Sequence, residues 1–452
     1  MHARAQLTRD EEADPREAQA EADPLADLES FFEKQLVIVG GFGTSGQGPA
    51  GGKAQQWRSM WDAFKQYGDG GDPAKEEIER ARGCNHYCGD CHALTMATAS
   101  GTPQWSQLQF GPEAHELMQR TGHSVTSLQQ GGRLLLFGGR NLQREGVSAE
   151  MNDAWLLELL PARGAPLLRE LFAAGTPPSA RAHHSATLLG EAVYVLGGAA
   201  SGERPLRDAH VLDVSSMSWS QPEVRGEPPA VLCRHSATPL HGRLWVFGGS
   251  VTARPASGSA AMGAAAKRGR VRCSAQMHTL ERCSDGAVRW TAVQTTGRRP
   301  APRGEHGAAA AGGKLFVFGG QKLSRPKGAD GRGGGGGGGR GRGRAGGAKA
   351  AAADAASGTV ARASSELFVL DPITLSWSQV ARTPPLRREA GTLVGLGDKF
   401  LLAFGGWSGH YSPVDARLQP WSDALHALHL PTRRWFQLAA PGPAPVGRYG
   451  HA

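Results

Sequence analysis

The stretch PPSARAHHSATLLGEAVYVLGG, residues 177–198, decides how this sequence folds. It runs from a proline-rich turn through Arg181 and His184 into a short apolar segment, a Gly-Glu turn, and a second apolar segment closed by two glycines. That closing pattern occurs six times: LVIVGG at 36–41, LLLFGG at 134–139, VYVLGG at 193–198, LWVFGG at 244–249, LFVFGG at 315–320 and LLAFGG at 401–406. A run of branched, aliphatic or aromatic residues this short fits a strand covered on both faces. The paired glycines let the chain leave it at positive φ or pass close beneath a neighbour.

Two further marks follow each pair. A tryptophan opens a later apolar segment in five of the six repeats, at Trp105, Trp219, Trp290, Trp377 and Trp435; the second repeat has LLRELF at 167–172 instead and offers Leu171 or Phe172 for that place. An aspartate opens the segment between, at Asp90, Asp153, Asp208 and Asp423. Ahead of the glycine pairs lies Arg-x-x-His, as Arg120 with His123, Arg181 with His184, and Arg303 with His306. The fourth repeat keeps His235 but has Leu232 for the arginine, and the sixth keeps Arg388 but has Gly391 for the histidine.

These residues together resemble the kelch repeat family over essentially all of 36–452. The resemblance implies an all-β fold, a six-bladed kelch β-propeller with long low-complexity loop insertions, each blade a four-stranded antiparallel sheet set radially about a channel. The first repeat starts at Leu36 without its own Arg-x-x-His strand, while PAPVGRYGHA at 443–452 supplies Arg448 and His451. The C-terminal segment is therefore expected to begin the missing strand and seal two edges. Either that strand is very short or the sequence is a fragment of a longer protein.

Spacing places the insertions. From a tryptophan to the second glycine of the next repeat the separation stays near 30 residues, whereas from the second glycine to its own tryptophan it runs 64, 21, 41, 57 and 29. The spare length near 44–88, 250–274 and 321–364 thus falls between strands two and three. Strands of a meander alternate in direction, so these loops share a face with the inter-blade turns carrying Arg-x-x-His. Long loops on a rigid scaffold concentrate binding residues.

The net charge of +9 is uneven. Residues 250–274 carry five bases and no acid, 321–364 carry nine bases and two acids, and 1–35 carry four bases and ten acids. Basicity therefore belongs to two insertions. Residues 1–35 read as an acidic, largely disordered tail with a short helix near LADLESFFEKQ. The start has no secretory apolar stretch and no 18-residue apolar run occurs, so the expected setting is intracellular, cytoplasmic or nuclear, with no membrane partner.

Candidate chemistry is sparse. Cys84, Cys88 and Cys91 have a spacing that suits zinc or an iron–sulfur cluster, but Asp90-Cys91-His92 aligns with the third strand, where successive side chains point to opposite faces. Arg332, Arg340, Arg342 and Arg344 sit in a Gly-rich tract of the kind that stacks on bases and pairs phosphates in RNA. Arg120, Arg181, Arg303, Arg388 and Arg448 are candidates to line a face for a partner's acidic side chains; the bland reading gives them inter-blade hydrogen bonds. Neither a P-loop nor a nucleophile elbow occurs, and the five tyrosines do not suggest the copper site of secreted oxidases with a kelch-like propeller. The expectation is a monomeric, non-catalytic, cofactor-free scaffold binding a protein or peptide. The second reading is RNA association through the basic insertions.

Overall fold

The computed structural model describes residues 35–40, 42–44, 85–95, 103–128, 132–142, 148–159, 165–253, 270–324, 360–380, 387–408 and 421–452. The acidic tail, Cys84, most of the three large insertions and Arg332, Arg340, Arg342 and Arg344 lie outside the described residues. Among the described residues secondary structure is almost wholly strand, with one α-helix at Pro112–Met118. No helix among the described residues is long and apolar enough to cross a membrane.

Each glycine-pair strand belongs to its own sheet, antiparallel except where the two-residue strands Ala174–Gly175, Val224–Arg225 and Thr296–Gly297 add a parallel outer edge to the third, fourth and fifth. In the second repeat the order from inner to outer edge is Ser124–Ser127, Arg133–Phe137, Ala154–Glu158 and Leu167–Glu170. The third, fourth, fifth and sixth repeats repeat that order from Ser185–Leu189, Ser236–Leu240, Gly307–Ala311 and Thr392–Leu396. The first has three strands, Gln35–Val39, Cys91–Thr95 and Gln104–Gln107. At the open edge of Gln35–Val39, the backbone N–H and carbonyl of Ala452 exchange bonds with Val39 at 3.4 and 3.0 Å.

Register explains the tryptophans. Each stands opposite a leucine of the third strand: Trp105 opposite Leu94, Trp219 opposite Leu212, Trp290 opposite Leu280, Trp377 opposite Leu370 and Trp435 opposite Leu428. In the second repeat Leu157 faces Leu168, so Leu168 holds the position expected of Leu171 or Phe172. Phe172 is instead 85% exposed. The sequence pattern fixes the segment and the pairing register fixes the residue, because a slip of one reverses every face.

The indoles stitch neighbouring sheets together. Phe137 meets Trp219 at 5.4 Å, Phe247 meets Trp377 at 5.4 Å, Phe318 meets Trp435 at 5.5 Å, and Phe404 of the sixth sheet meets Trp105 of the first at 5.7 Å. Six buried apolar clusters among the described residues each join residues of two consecutive repeats, one of them uniting Phe404 and Leu425 with Ile38 and Leu94. Tilted aromatic pairs add about 1 kcal/mol each to the area they bury.

The glycine pairs earn their place by close approach. A Cβ on Gly197 would lie 2.0 Å from the Leu232 carbonyl oxygen of the next repeat, and Gly197 and Gly198 have φ of 56° and 96°. Among the described residues the N–H of the second glycine donates to the next repeat's backbone at the Arg position: Gly139 to Arg181, Gly198 to Leu232, Gly249 to Arg303, Gly320 to Arg388 and Gly406 to Arg448.

Candidate functional site

The residue just before the histidine position adopts a left-handed backbone in every repeat: Gly122, His183, Arg234, Glu305, Ala390 and Gly450, with φ between 51° and 65°. Such a conformation costs a non-glycine residue about 1 kcal/mol. The return is a cyclic chain of backbone bonds. The N–H of His183 donates to the carbonyl of Gly122, Arg234 to His183, Glu305 to Arg234, Ala390 to Glu305, Gly450 to Ala390, and Gly122 back to Gly450, at 2.7–3.1 Å.

Around this cycle the Arg-x-x-His segments pair with the start of each strand two to strand three connection. Thr121 bridges Arg140, Ala182 bridges Ala199, Gly304 pairs with Gln321, Glu389 bridges Trp407, and Tyr449 pairs with Phe42. In the fourth repeat Ser250 donates to Cys233. Short hairpins continue outward, Phe42–Thr44 with Asn85–Tyr87, Ser250–Ala253 with Arg270–Cys273, and Gln321–Ser324 with Val360–Ala363. All three long insertions therefore leave from hairpins hydrogen-bonded to the Arg-x-x-His rim, as the strand alternation requires.

The arginines themselves point inward. The Arg181 guanidinium is fully buried; it donates to the Gly197 carbonyl at 2.9 Å and to both Asp208 oxygens at 2.8 and 2.9 Å. Arg120 does the same with Gly138 and Asp153 and Arg448 with Gly40 and Asp90, whereas Arg303 donates to the Gly319 carbonyl and to one oxygen of Glu366, whose other oxygen is held by Lys322. Burial alone would raise the acids, yet hydrogen bonds from their partners win: those from Lys322 and Arg303 hold Glu366 at about 2, and Asp90 and Asp208 also lie well below the usual carboxylate range. Four of the five arginines expected to meet a partner are thus corrected to internal ties between the inner rim and the third strand. A side chain with almost no exposed area, already bonded to an acid and a backbone carbonyl, has nothing left to offer a ligand.

Arg388 differs. It is half-buried, bonds the Ser422 hydroxyl at 2.6 Å, and burial pulls it down to about 10, opposed by the field of Asp423. The fourth repeat lacks the pair altogether. Leu232 is fully buried, and Gln276 occupies the acid's place, its carbonyl accepting from Gly248 as that of Asp153 accepts from Gly138.

The histidines complete the seams. His184 meets the Ser124 hydroxyl at 2.9 Å, His235 meets Ser185 at 2.9 Å and His306 meets Ser236 at 2.8 Å, all of the preceding repeat. Burial holds His123, His235, His306 and His451 near 3, so they are neutral.

What the rim does expose to chemistry, sequence reasoning missed. Arg140, Glu203, Arg234 and Glu305, from four successive repeats, form an alternating chain of ion pairs at 2.8, 2.9 and 2.9 Å. Beyond it lies Glu389, 5% exposed, with one carboxyl oxygen lacking a hydrogen-bond partner. Burial and the nearby Glu305 charge push its carboxyl up to about 9. The available signal was positional: Arg234 and Glu305 stand immediately before a histidine in the motif already read. Trp407, 36% exposed, bridges Glu389 on one side and Trp421 on the other.

The described cysteines of the metal-like spacing, Cys88 and Cys91, are buried. Burial raises Cys88 to about 11 and Cys91 to about 12, and His92 is engaged by Asp90 and by the Pro443 carbonyl. Among the described residues no three His, Cys, Asp or Glu side chains are arranged to hold a metal ion; Cys84 is outside them.

Comparison with known proteins agrees with this architecture. A family model described as the KLHDC2/KLHL20/DRC7 kelch-repeats domain matches residues 78–261 and 263–452. Acyl-CoA-binding domain-containing protein 4 of Arabidopsis thaliana is 25% identical over 394 residues, covering 82% of this chain and 46% of that protein. Acyl-CoA-binding domain-containing protein 5 of the same plant is 27% identical over 290 residues, 62% of this chain and 35% of its own. The Rab9 effector protein with kelch motifs of Bos taurus is 38% identical over 78 residues, 17% of this chain and 21% of its own. The chain spans less than half the length of each of these relatives. With its glycine-pair strands, seam tryptophans and arginine ties in register, the chain belongs to the kelch repeat family.

Proposed function

We propose that this chain is a non-catalytic scaffold that docks a partner protein or peptide on the rim formed by the Arg-x-x-His segments and the strand two to strand three hairpins. Kelch-repeat domains are typically interaction modules, and kelch-motif relatives include an effector protein and host cell factors. The observation that carries the reading is the rim itself: a backbone-bonded cycle of six residues from which every long insertion departs. Rigid support beneath long loops limits the entropy lost on binding.

The acidic peptide expected of five exposed arginines has lost most of its basis, since four are neutralised internally. Docking then falls to Arg388, the Arg140 to Glu305 ion chain, Glu389 and Trp407. The experiment is affinity purification from cells with the full chain, with Trp407→Ala, with Arg140→Ala, and with residues 325–359 replaced by a short linker. Specific partners lost from rim variants that keep the wild-type melting temperature support the reading; identical partners across all four oppose it. The RNA reading rests on the two basic insertions, and affinity falling steeply with salt is its mark. A monomeric, intracellular protein completes the proposal, supported by the unpaired thiols of Cys88, Cys91 and Cys233.

A further inference from the structure

One seam departs from the rest in a way that leaves space. At three of the other seams an imidazole sits edge-on to a phenyl ring of the preceding repeat: His184 on Phe137 at 5.3 Å, His306 on Phe247 at 5.3 Å and His451 on Phe404 at 5.4 Å. Its Nε2 meets a hydroxyl of that repeat, with Thr392 serving His451 at 3.2 Å. Between the fifth and sixth repeats both polar partners are gone together, Gly391 standing for the histidine and Gly307 for the serine, while Phe318 keeps the place of the phenyl ring.

The inner strands have closed in at this seam, since a Cβ on Gly307 would lie 2.7 Å from the Leu393 Cβ. The phenyl side stays open as a cleft of about 390 Å³ counting its mouth, lined among others by Phe318, Gly391, Trp435, Arg388, His426 and Glu305. Glu305 belongs to the backbone cycle, so the cleft adjoins the rim. Two of the lining groups are donors with spare capacity. Trp435 has an indole N–H that is buried without an acceptor, and Arg388 makes no hydrogen bond among the described residues to a carboxylate such as each of its four counterparts makes. A buried donor without a partner is unfavourable, and an acceptor from a ligand would relieve it.

We propose that this cleft receives one neutral imidazole, the side chain of a partner's histidine, seated against Phe318 with a ring nitrogen accepting from Trp435 or Arg388. The fold already holds such rings against a phenyl group at three other seams, so shape and stacking partner are built in; only the covalent bearer is missing. Arg388 disfavours a protonated ring and Glu305, on the same lining, favours one, so the neutral form is secured by working at pH 8, above the ordinary imidazole value. The identity of the bearer rests on the docking reading above, whereas the binding of the ring does not.

The test is a titration of the full chain with imidazole at pH 8, followed by melting temperature and by the NMR signal of the Trp435 indole N–H. Acetamide serves as a control of similar polarity without a ring. Two plugs enter from different walls, Gly391→His and Ala403→Leu. Saturable imidazole binding in the wild type, at least tenfold weaker in whichever plug folds and absent for acetamide, is expected. Equal response of wild type and plugs, or no saturable response in the wild type, overturns the proposal. If imidazole fails to bind while rim variants still lose their partners, this inference falls and the docking reading stands.

Discussion

The buried arginine ties make a quantitative test, because the protein contains its own counterexample. In the third repeat Arg181 has no exposed side-chain area while Asp208 retains 26%. Replacing Asp208 by Ala removes two charge-assisted bonds and strands a cation among the Gly197 carbonyl, the Ser179 carbonyl and apolar core. Removing one partner of a buried pair costs about 3–5 kcal/mol, and the partial exposure of Asp208 places the loss near the lower end, about 3 kcal/mol. The fourth repeat shows the alternative, with Leu232 and Gln276 at the two positions. The double variant Arg181→Leu with Asp208→Gln copies it and removes the stranded charge. It should recover half or more of the loss, about 1.5 kcal/mol. Chemical denaturation of the wild type, both single variants and the double variant measures this through the shift in midpoint at constant slope. A cost below about 1 kcal/mol for Asp208→Ala, or a double variant no more stable than that single one, refutes the claim that the arginine is a buried tie.

Acid should weaken the fold before any carboxylate titrates. His123, His235, His306 and His451 are held neutral near 3 by burial, so below the unfolded value of 6.5 the unfolded chain binds more protons; moving from pH 7 to pH 5 costs about 2 kcal/mol per histidine. Glu389 works the other way, its folded carboxyl keeping the proton up to about 9, and offsets about one histidine. A denaturation midpoint unchanged between pH 7 and pH 5 contradicts this. Conversely, Glu389→Gln removes a group whose folded form resists ionisation, so it should stabilise at pH 8 and have little effect at pH 5; melting curves at both pH values decide. Ser236→Ala leaves the His306 ring nitrogen without its hydroxyl and should cost about 1–2 kcal/mol. Gly197→Ala drives a Cβ to 2.0 Å from the Leu232 carbonyl, and a soluble variant with an unchanged melting temperature would contradict the close approach.

Much of this protein was legible along the chain. Glycine pairs, tryptophan spacing and Arg-x-x-His are local patterns, and local patterns fix strand, turn and repeat because each depends on neighbours within a few residues. The common rim of the insertions also followed, since strand alternation is a geometric consequence of an antiparallel meander. One local signal passed unnoticed: Gly175, with φ of 84°, heads Gly-Thr-Pro-Pro and brings its Cα against Trp219, where a Cβ would meet the carbonyl at 2.0 Å.

What only the tertiary structure decided was exposure and partnership. The same Arg-x-x-His reads equally as a contact row or as an internal tie until its acid is found, and that acid lies 27 residues away for Arg181, 63 for Arg303 and 358 for Arg448. Leu168 rather than Leu171 or Phe172 holds the tryptophan's place because cross-strand register, not order along the chain, sets which side chain faces the seam. The cleft beside Phe318 likewise exists only where Gly391 and Gly307, 84 residues apart, meet across two sheets. Sequence dictates the conformation each segment prefers; burial and pairing belong to distances that only the closed arrangement of sheets creates.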